Sequence, residues 1–286
     1  MKTINLIDNK GYLKIPNIIN LEILKKINLK ISQIIQNPFS FQKAIDYRKL
    51  KKKKERKVLI HSKYAFLSKT DLGKGVKFFS KYTNSVQLKD PLINIPELNK
   101  FIFSKKIIQC LKKSFKSSNI YFLYAVIRIH FVNKLPKMDY NFFHLDKTFN
   151  NSESSKKIIK FSIPLTLIKN KKINSSEFKV ITLNKKHIKK ENVVSHDYTM
   201  QEELPIKVRK KIFNPKIKSG DCLFFDPVNF FHMAEKPKNI RITFYGVAGT
   251  KKNYIAKKTK IIKIYNKDYE QLKGYQKKFA SLLTRV

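Results

Sequence analysis

Residues 220–246 read GDCLFFDPVNFFHMAEKPKNIRITFYG and combine apolar strand patterns with a histidine and an arginine. Gly220 and Asp221 indicate a turn into the first strand, and His232 follows after a short bend. Arg241 comes nine residues after His232 and begins a second strand, which is rich in β-branched and aromatic residues. Because only six of the 62 basic residues are arginines, an arginine at the start of an apolar strand indicates a specific anionic partner more often than a surface salt bridge.

A second histidine lies upstream, in a His-Leu-Asp segment. On an extended chain, side chains two positions apart share a face, so His144 and Asp146 point to the same side. Together with His232 they form the two-histidine, one-carboxylate set that binds non-haem Fe(II) and leaves coordination positions for an oxo-acid cosubstrate and O2. Arg241 is placed to pair with the far carboxylate of that oxo acid, and Thr243, on the same face, to add a hydroxyl.

Four further residues are candidates for weaker reasons. Arg128 and His130 share a face of the strand predicted over residues 120–132, where they either line the pocket and contact cosubstrate or substrate, or form the polar outer face of an edge strand. Lys147 and Thr148 directly follow the candidate carboxylate ligand and are candidate contacts to the substrate or to the metal ligands. No role is predicted for the histidines in polar surroundings, which are His61, His187 and His196.

The runs that predict strands share a high content of aromatic and β-branched residues. They are residues 120–132, 158–168, 178–183, 221–226 and 241–248. Asn20 precedes apolar residues at helical spacing and predicts the start of an amphipathic helix, whereas residues 39–118 predict mostly helices and loops. An apolar stripe between Tyr269 and Leu283 predicts a C-terminal helix on the outside of the sheet. These patterns together predict a mainly β fold with flanking helices.

This organisation predicts a single domain over residues 1–286. It divides into a helical N-terminal part with the first strand (1–118), a β core (119–250) and a basic C-terminal segment with a helix (251–286). The longest apolar run, residues 120–127, has eight residues, far short of the ~18–20 that a membrane span requires. The first residues lack the pattern of a secretory signal, so we expect a cytoplasmic protein without a membrane span.

The chain of 286 residues is strongly basic, with 62 Lys+Arg against 20 Asp+Glu and a formal charge of +42, yet 42% of it is hydrophobic. This composition excludes a disordered basic tail. The charge attracts polyanions, but the shortage of arginine argues against recognition of bases and phosphates, so a solvated lysine-rich surface is the simpler interpretation. Binding of nucleic acid is therefore a weaker expectation than a solvated surface. The run RKLKKKKERK at residues 48–57 is either merely exposed or a contact for an anionic partner.

The sequence resembles the phytanoyl-CoA dioxygenase family of Fe(II)- and 2-oxoglutarate-dependent oxygenases. The stretches that carry the resemblance are residues 11–17 (GYLKIPN), 144–146 (HLD), 163–166 (IPLT) and 220–241. The resemblance implies a double-stranded β-helix core of the jelly-roll, cupin-like type, with iron held by His144, Asp146 and His232 and 2-oxoglutarate held by Arg241. Because Asp146 is present where the related halogenases have a small residue, the resemblance implies hydroxylation of a small metabolite, or another oxidation, with release of succinate and CO2.

The substrate is not identified by the sequence. Residues 174–187 (NSSEFKVITLNKKH) differ from the glycine-rich turn of many family members, and the positive charge only favours an anionic molecule. Two other functions stay open: a catalytically inactive β-helix protein that binds a polyanion such as RNA, and a metal-dependent hydrolase or isomerase that uses the same His-Asp-His set. Arg241 separates the second from an oxygenase, because a hydrolase has no evident use for it. The oligomeric state is not predicted.

Overall fold

All five predicted strand runs contribute to two antiparallel sheets whose inner faces meet. The computed structural model describes residues 6–34, 84–88, 90–132, 134, 141–146, 158–175, 178–189, 198–199, 201–251 and 262–286. In spatial order, the larger sheet consists of Tyr12–Ile15 (β1), Cys222–Phe225 (β13), Ile159–Pro164 (β5), Arg241–Gly249 (β15), Tyr121–His130 (β3) and Ser85–Leu88 (β2). The smaller sheet consists of Tyr198–Thr199 (β10), Phe143–His144 (β4), Phe230–Ala234 (β14), Phe178–Asn184 (β9) and Ile212–Phe213 (β11).

Along the chain, the core strands alternate between the sheets: β3, β5, β13 and β15 belong to the larger sheet, and β4, β9 and β14 to the smaller one. Strands that pair within a sheet are therefore distant in sequence. This winding is that of a double-stranded β-helix, so the predicted mainly β fold with flanking helices is confirmed. Two-stranded ladders join Leu167–Ile168 (β6) to Lys171–Lys172 (β7), Asn174–Ser175 (β8) to Ile217–Lys218 (β12), and Lys263–Ile264 (β16) to Thr284–Arg285 (β17).

The largest hydrophobic core lies between the larger sheet and the helices. Phe161 of β5 is at its centre, with ring centroids 6.0 Å from Phe122 and 5.7 Å from Phe224. From the helical segments, Phe103 and Phe279 pack on Phe122 at 5.8 and 5.7 Å. Because side chains alternate along a strand, the residues next to Phe122, Phe161 and Phe224 on their own strands face the smaller sheet instead. The polar residues of those strands are thus brought into the interior between the sheets.

Short helices flank the sheets. They are Leu6–Lys10 (α1), Leu21–Ile34 (α2), Pro91–Asn94 (α3), Asn99–Ile102 (α4), Lys105–Phe115 (α5), Lys185–Lys189 (α6), Ile206–Arg209 (α7), Asn266–Glu270 (α8) and Gly274–Ala280 (α9), with 3-10 turns at Pro96–Leu98 and Gln201–Glu203. Helix α2 begins after Asn20, whose Oδ1 accepts a hydrogen bond from the Ile23 amide at 2.9 Å, which confirms the predicted cap. Within the described ranges, no helix is both long and apolar enough to cross a membrane.

Several elements, including the following three, differ from the sequence-based expectation. Strand β2 lies in the part of the chain that predicted mostly helices and loops. His232 lies inside a strand, β14, which the sequence did not predict. The C-terminal apolar stripe forms two short helices, α8 and α9, rather than one. The basic run at residues 48–57 lies outside the described residues.

The turn before β13 fastens the N-terminal segment to the larger sheet. Gly220 has a φ of +84°, and its amide donates to the Pro164 carbonyl at 2.8 Å while its own carbonyl accepts from the Ile19 amide at 3.0 Å. The Asp221 carboxylate accepts hydrogen bonds from the amides of Asn17 and Lys218, each at 3.0 Å. The Gly-Asp pair at the start of β13 therefore joins Asn17 and Ile19 to the larger sheet.

Candidate metal centre

His144, Asp146 and His232 converge between the two sheets. In the smaller sheet, His144 of β4 pairs directly with His232 of β14, and their ring centroids are 4.5 Å apart. Asp146 follows two residues after His144, with Oδ1 at 3.9 Å from His144 Nε2. One ligand atom from each of the three residues lies within 4.8 Å of the others. Two imidazoles and a carboxylate at this separation suit a single metal ion of the Fe(II) class.

Each histidine of this set is oriented by a backbone carbonyl two residues before it. His144 Nδ1 lies 2.8 Å from the Phe142 carbonyl oxygen, and His232 Nδ1 lies 3.3 Å from that of Phe230. A carbonyl oxygen can only accept, so in each ring Nδ1 carries the proton and Nε2 keeps its lone pair. This is the tautomer that ligation through Nε2 requires, and the carbonyl fixes the ring orientation as well.

The electrostatic environment keeps two of these ligands in their metal-binding forms. Burial lowers the pKa of His232 to about 3, and the neighbouring His144 adds to the shift. Burial on its own would raise the pKa of Asp146, but Lys160, with smaller contributions from His232 and His144, outweighs burial and lowers it to about 2. At neutral pH the imidazole of His232 is therefore neutral and the carboxylate is ionised, so protons do not compete with a metal.

Lys160 is the residue of this centre that the sequence analysis missed. It lies on β5 of the larger sheet, and its Nζ forms an ion pair with Asp146 Oδ2 across the interior. A signal was present, because Lys160 sits between Ile159 and Phe161 in a strand that is otherwise apolar or small. Without the fold, however, the sequence does not tell which face of that strand meets the smaller sheet.

Arg241 and Thr243 lie on the inner face of β15, where the oxo-acid site is predicted. Arg241 is only 6% exposed, and its Nη1 donates to the Glu235 carbonyl at 3.3 Å. Thr243 is 3% exposed, and its hydroxyl has no hydrogen-bond partner among the described residues. A buried hydroxyl without a partner costs about 1–3 kcal/mol. A buried guanidinium with an unsatisfied hydroxyl two residues away fits the carboxylate of a bound oxo acid.

Arg128 and His130 extend the same inner row on the neighbouring strand. In the pairing of β15 with β3, Arg128 is opposite Thr243 and His130 is opposite Arg241. Strand β2 pairs with the other side of β3 over these positions, so the alternative that they form the outer face of an edge strand is wrong. Their roles toward cosubstrate or substrate stay predictions.

His130 predicts a pH dependence of stability. It is 1% exposed, and burial, followed by Arg241 and Arg128, lowers its pKa well below the ordinary value. Below about pH 6.5 the unfolded chain therefore binds a proton that the folded protein resists, so stability falls as the pH falls, by up to about 1.4 kcal/mol per pH unit. We expect His130→Gln to flatten the fall in Tm between pH 7 and pH 5, measured by circular dichroism. Equal slopes in the two proteins would contradict this.

Lys147 and Thr148 lie outside the described residues, as do His61 and His196. His187 is exposed on α6 and does not belong to the ligand set.

Comparison with known proteins shows the fold. The chain is similar to a crystal structure of the non-haem alpha-ketoglutarate-dependent epimerase SnoN from nogalamycin biosynthesis, with 9% identity, a TM-score of 0.50, and coverage of 87% of this chain and 81% of that one. It is also similar to EctD from S. alaskensis, crystallised with 2-oxoglutarate and 5-hydroxyectoine, with 11% identity, a TM-score of 0.50, and coverage of 88% and 77%. No protein-family model and no curated protein matches it. The jelly-roll fold class is confirmed.

Proposed function

We propose that this protein is an Fe(II)- and 2-oxoglutarate-dependent oxygenase. One observation carries the proposal: the His144–Asp146–His232 set and the Arg241–Thr243 pair lie on the inner faces of the same β-helix. The first set suits the metal, and the second suits the far carboxylate of the cosubstrate. Composition and net charge alone would not bring together three metal ligands and a pair of residues for the far carboxylate. The proteins of similar fold include a 2-oxoglutarate-dependent enzyme, which supports the class.

The side chains of the site would have the following roles. His144, Asp146 and His232 would hold Fe(II), which when bound supplies the activation of O2 and the oxidative decarboxylation of 2-oxoglutarate to succinate and CO2. Arg241 would pair with the far carboxylate of 2-oxoglutarate and so orient it. The Phe178 and Phe225 rings, 6.0 and 5.0 Å from the His232 ring, make that side of the centre apolar.

More specifically, the proposal is that the protein belongs to the phytanoyl-CoA dioxygenase family and hydroxylates a small anionic metabolite. Two observations support an anionic substrate: the charge of +42 and Arg128 on the inner face of β3. The presence of Asp146 disfavours halogenation and supports hydroxylation or another oxidation; a protein of this fold, SnoN, is an epimerase. The cytoplasmic location stays a prediction.

The test is anaerobic addition of Fe(II) and 2-oxoglutarate to the purified protein, followed by visible absorption. An oxo acid chelated to Fe(II) gives a weak metal-to-ligand charge-transfer band, and this measurement needs no substrate. We expect a band that requires both components and saturates at one equivalent of Fe(II). A folded protein that gives no band would overturn the oxygenase proposal and favour a polyanion-binding protein or a hydrolase.

Arg241→Ala is expected to raise the 2-oxoglutarate concentration for half-maximal band intensity by about 100-fold. The reason is the loss of a buried, charge-assisted pair, which costs about 2–5 kcal/mol. Binding of Fe(II) alone should not change, because Arg241 is not a ligand. Arg209→Ala removes an exposed arginine on α7 and serves as the matched control. An unchanged 2-oxoglutarate requirement in Arg241→Ala would contradict the assignment of Arg241.

A further inference from the structure

The two oxygens of the Asp146 carboxylate have different surroundings. Oδ1 faces His144 Nε2 at 3.9 Å, on the side of the candidate metal. Oδ2 is ion-paired with Lys160 Nζ, which comes from the opposite sheet. The main chain is fixed too, since the Asp146 amide donates to the Pro227 carbonyl at 2.8 Å. Ligation of a metal through Oδ1 alone therefore leaves the ion pair intact.

Lys160 is held in this place by the strand that carries it. Its neighbours Ile159 and Phe161 are fully buried in the core under the helices, so alternation directs Lys160 toward the smaller sheet. The side chain is 23% exposed, and that of Asp146 is 12% exposed. Because the pair is largely shielded from water, the ion pair is screened less than one on the surface.

A carboxylate can bind a metal through one oxygen or through both. In the two-histidine, one-carboxylate arrangement, a second carboxylate oxygen would take one of the three positions that an octahedral ion leaves open. The oxo acid needs two of these positions and O2 needs the third. A group that occupies Oδ2 thus protects the position that O2 requires.

We propose that Lys160 is a positioning residue that restricts Asp146 to one-oxygen ligation of the metal. The inference rests on the proposed function. It also has an electrostatic consequence, because an ammonium group beside a divalent cation repels it. At a pH where Asp146 is ionised with or without Lys160, Lys160 therefore does not raise metal affinity; it sets the number of open coordination positions. Metal affinity and the number of bound waters should respond differently when Lys160 is replaced.

The probe is Mn(II), whose effect on water-proton relaxation reports the number of waters bound to it. In Lys160→Met we expect the relaxivity of bound Mn(II) to fall by roughly one third, since one of three open positions is lost. With 2-oxoglutarate added, the remaining water signal should fall close to zero in Lys160→Met but not in wild type. Mn(II) affinity should be unchanged or higher. Lys160→Arg keeps a cationic donor and should keep the wild-type relaxivity.

Lys179→Met is the matched control. Lys179 is also a lysine on a core strand, 21% exposed and ion-paired with Glu235, but it lies outside the ligand set. Its replacement should leave relaxivity and affinity unchanged. Folding of each variant is checked by circular dichroism.

Two results would overturn the role of Lys160 alone: wild-type relaxivity in Lys160→Met at equal Mn(II) occupancy, or a loss of Mn(II) affinity in that variant, which would indicate support of binding rather than of ligation mode. If wild-type protein itself fails to bind Mn(II), or if 2-oxoglutarate displaces no water from it, the proposed function fails as well. The wild-type measurement therefore separates the two failures.

Discussion

His232→Ala is expected to abolish the Fe(II)–2-oxoglutarate band and to weaken metal binding on the order of 100- to 1,000-fold. The magnitude follows from structural zinc sites, where ~10–16 kcal/mol of binding free energy is shared among four ligands. His232 is one of three protein ligands, so its loss removes a larger share of the donor set. Its Nε2 is also preset for binding by the Phe230 carbonyl, an arrangement that water cannot replace. Anaerobic titration with Fe(II), read at the charge-transfer band, measures the effect.

Two variants keep this result interpretable. His232 is 6% exposed and packed between aromatic rings, so His232→Ala leaves a cavity, whereas His232→Gln preserves more of the volume. Both should lose the band while retaining a cooperative thermal transition. His187→Ala removes an exposed histidine and should retain the band in full. A full band in folded His232→Ala would remove His232 from the ligand set.

Gly220→Ala is expected to lower the free energy of unfolding by about 3–5 kcal/mol, which places it among the most destabilising single substitutions. Its φ of +84° already disfavours any residue with a Cβ. In addition, a Cβ at this position would lie 2.3 Å from the Ile19 carbonyl oxygen. That carbonyl accepts a hydrogen bond from Lys172 Nζ at 3.1 Å, and backbone at this junction cannot move without breaking the turn. Urea denaturation measures the change.

Gly274→Ala is the control for this prediction. Gly274 begins α9, and a Cβ there would meet nothing within 4 Å. Its replacement should change stability by less than about 1 kcal/mol and in the stabilising direction. Similar losses in the two variants would show that the turn at Gly220 tolerates a Cβ and is not a fixed junction.

The strands with strong aromatic and β-branched content could be predicted because their composition alone separates them from the lysine-rich loops. Strand β14 was missed because all but the last of its residues, Phe230 to Ala234, are buried, so no alternation of polar and apolar residues marks it. Strand β2 has only four residues, too few for a period to emerge. The apolar stripe at the C-terminus gave the correct helical spacing but not the break between α8 and α9.

Within the centre, the residue types and spacing were enough to select His144, Asp146, His232 and Arg241 as candidates, and the fold brings the first three together. Lys160 could not be selected from the sequence, because its contact with Asp146 depends on which face of β5 meets the smaller sheet. The edge-strand alternative for Arg128 and His130 could not be decided for a similar reason. Strand β2, which the sequence did not predict, pairs with the far side of their strand β3, so β3 lies in the interior of the sheet.

The junction between the N-terminal segment and the Gly-Asp turn also constrains when the protein can fold. Asn17 and Asp221, which are hydrogen-bonded to each other, are 204 residues apart in the sequence. At a synthesis rate of about 5–20 residues per second, β1 waits roughly 10–40 s before its partner strand leaves the ribosome. During that interval an unpaired strand edge is exposed to aggregation. Contacts of such long range also slow folding itself.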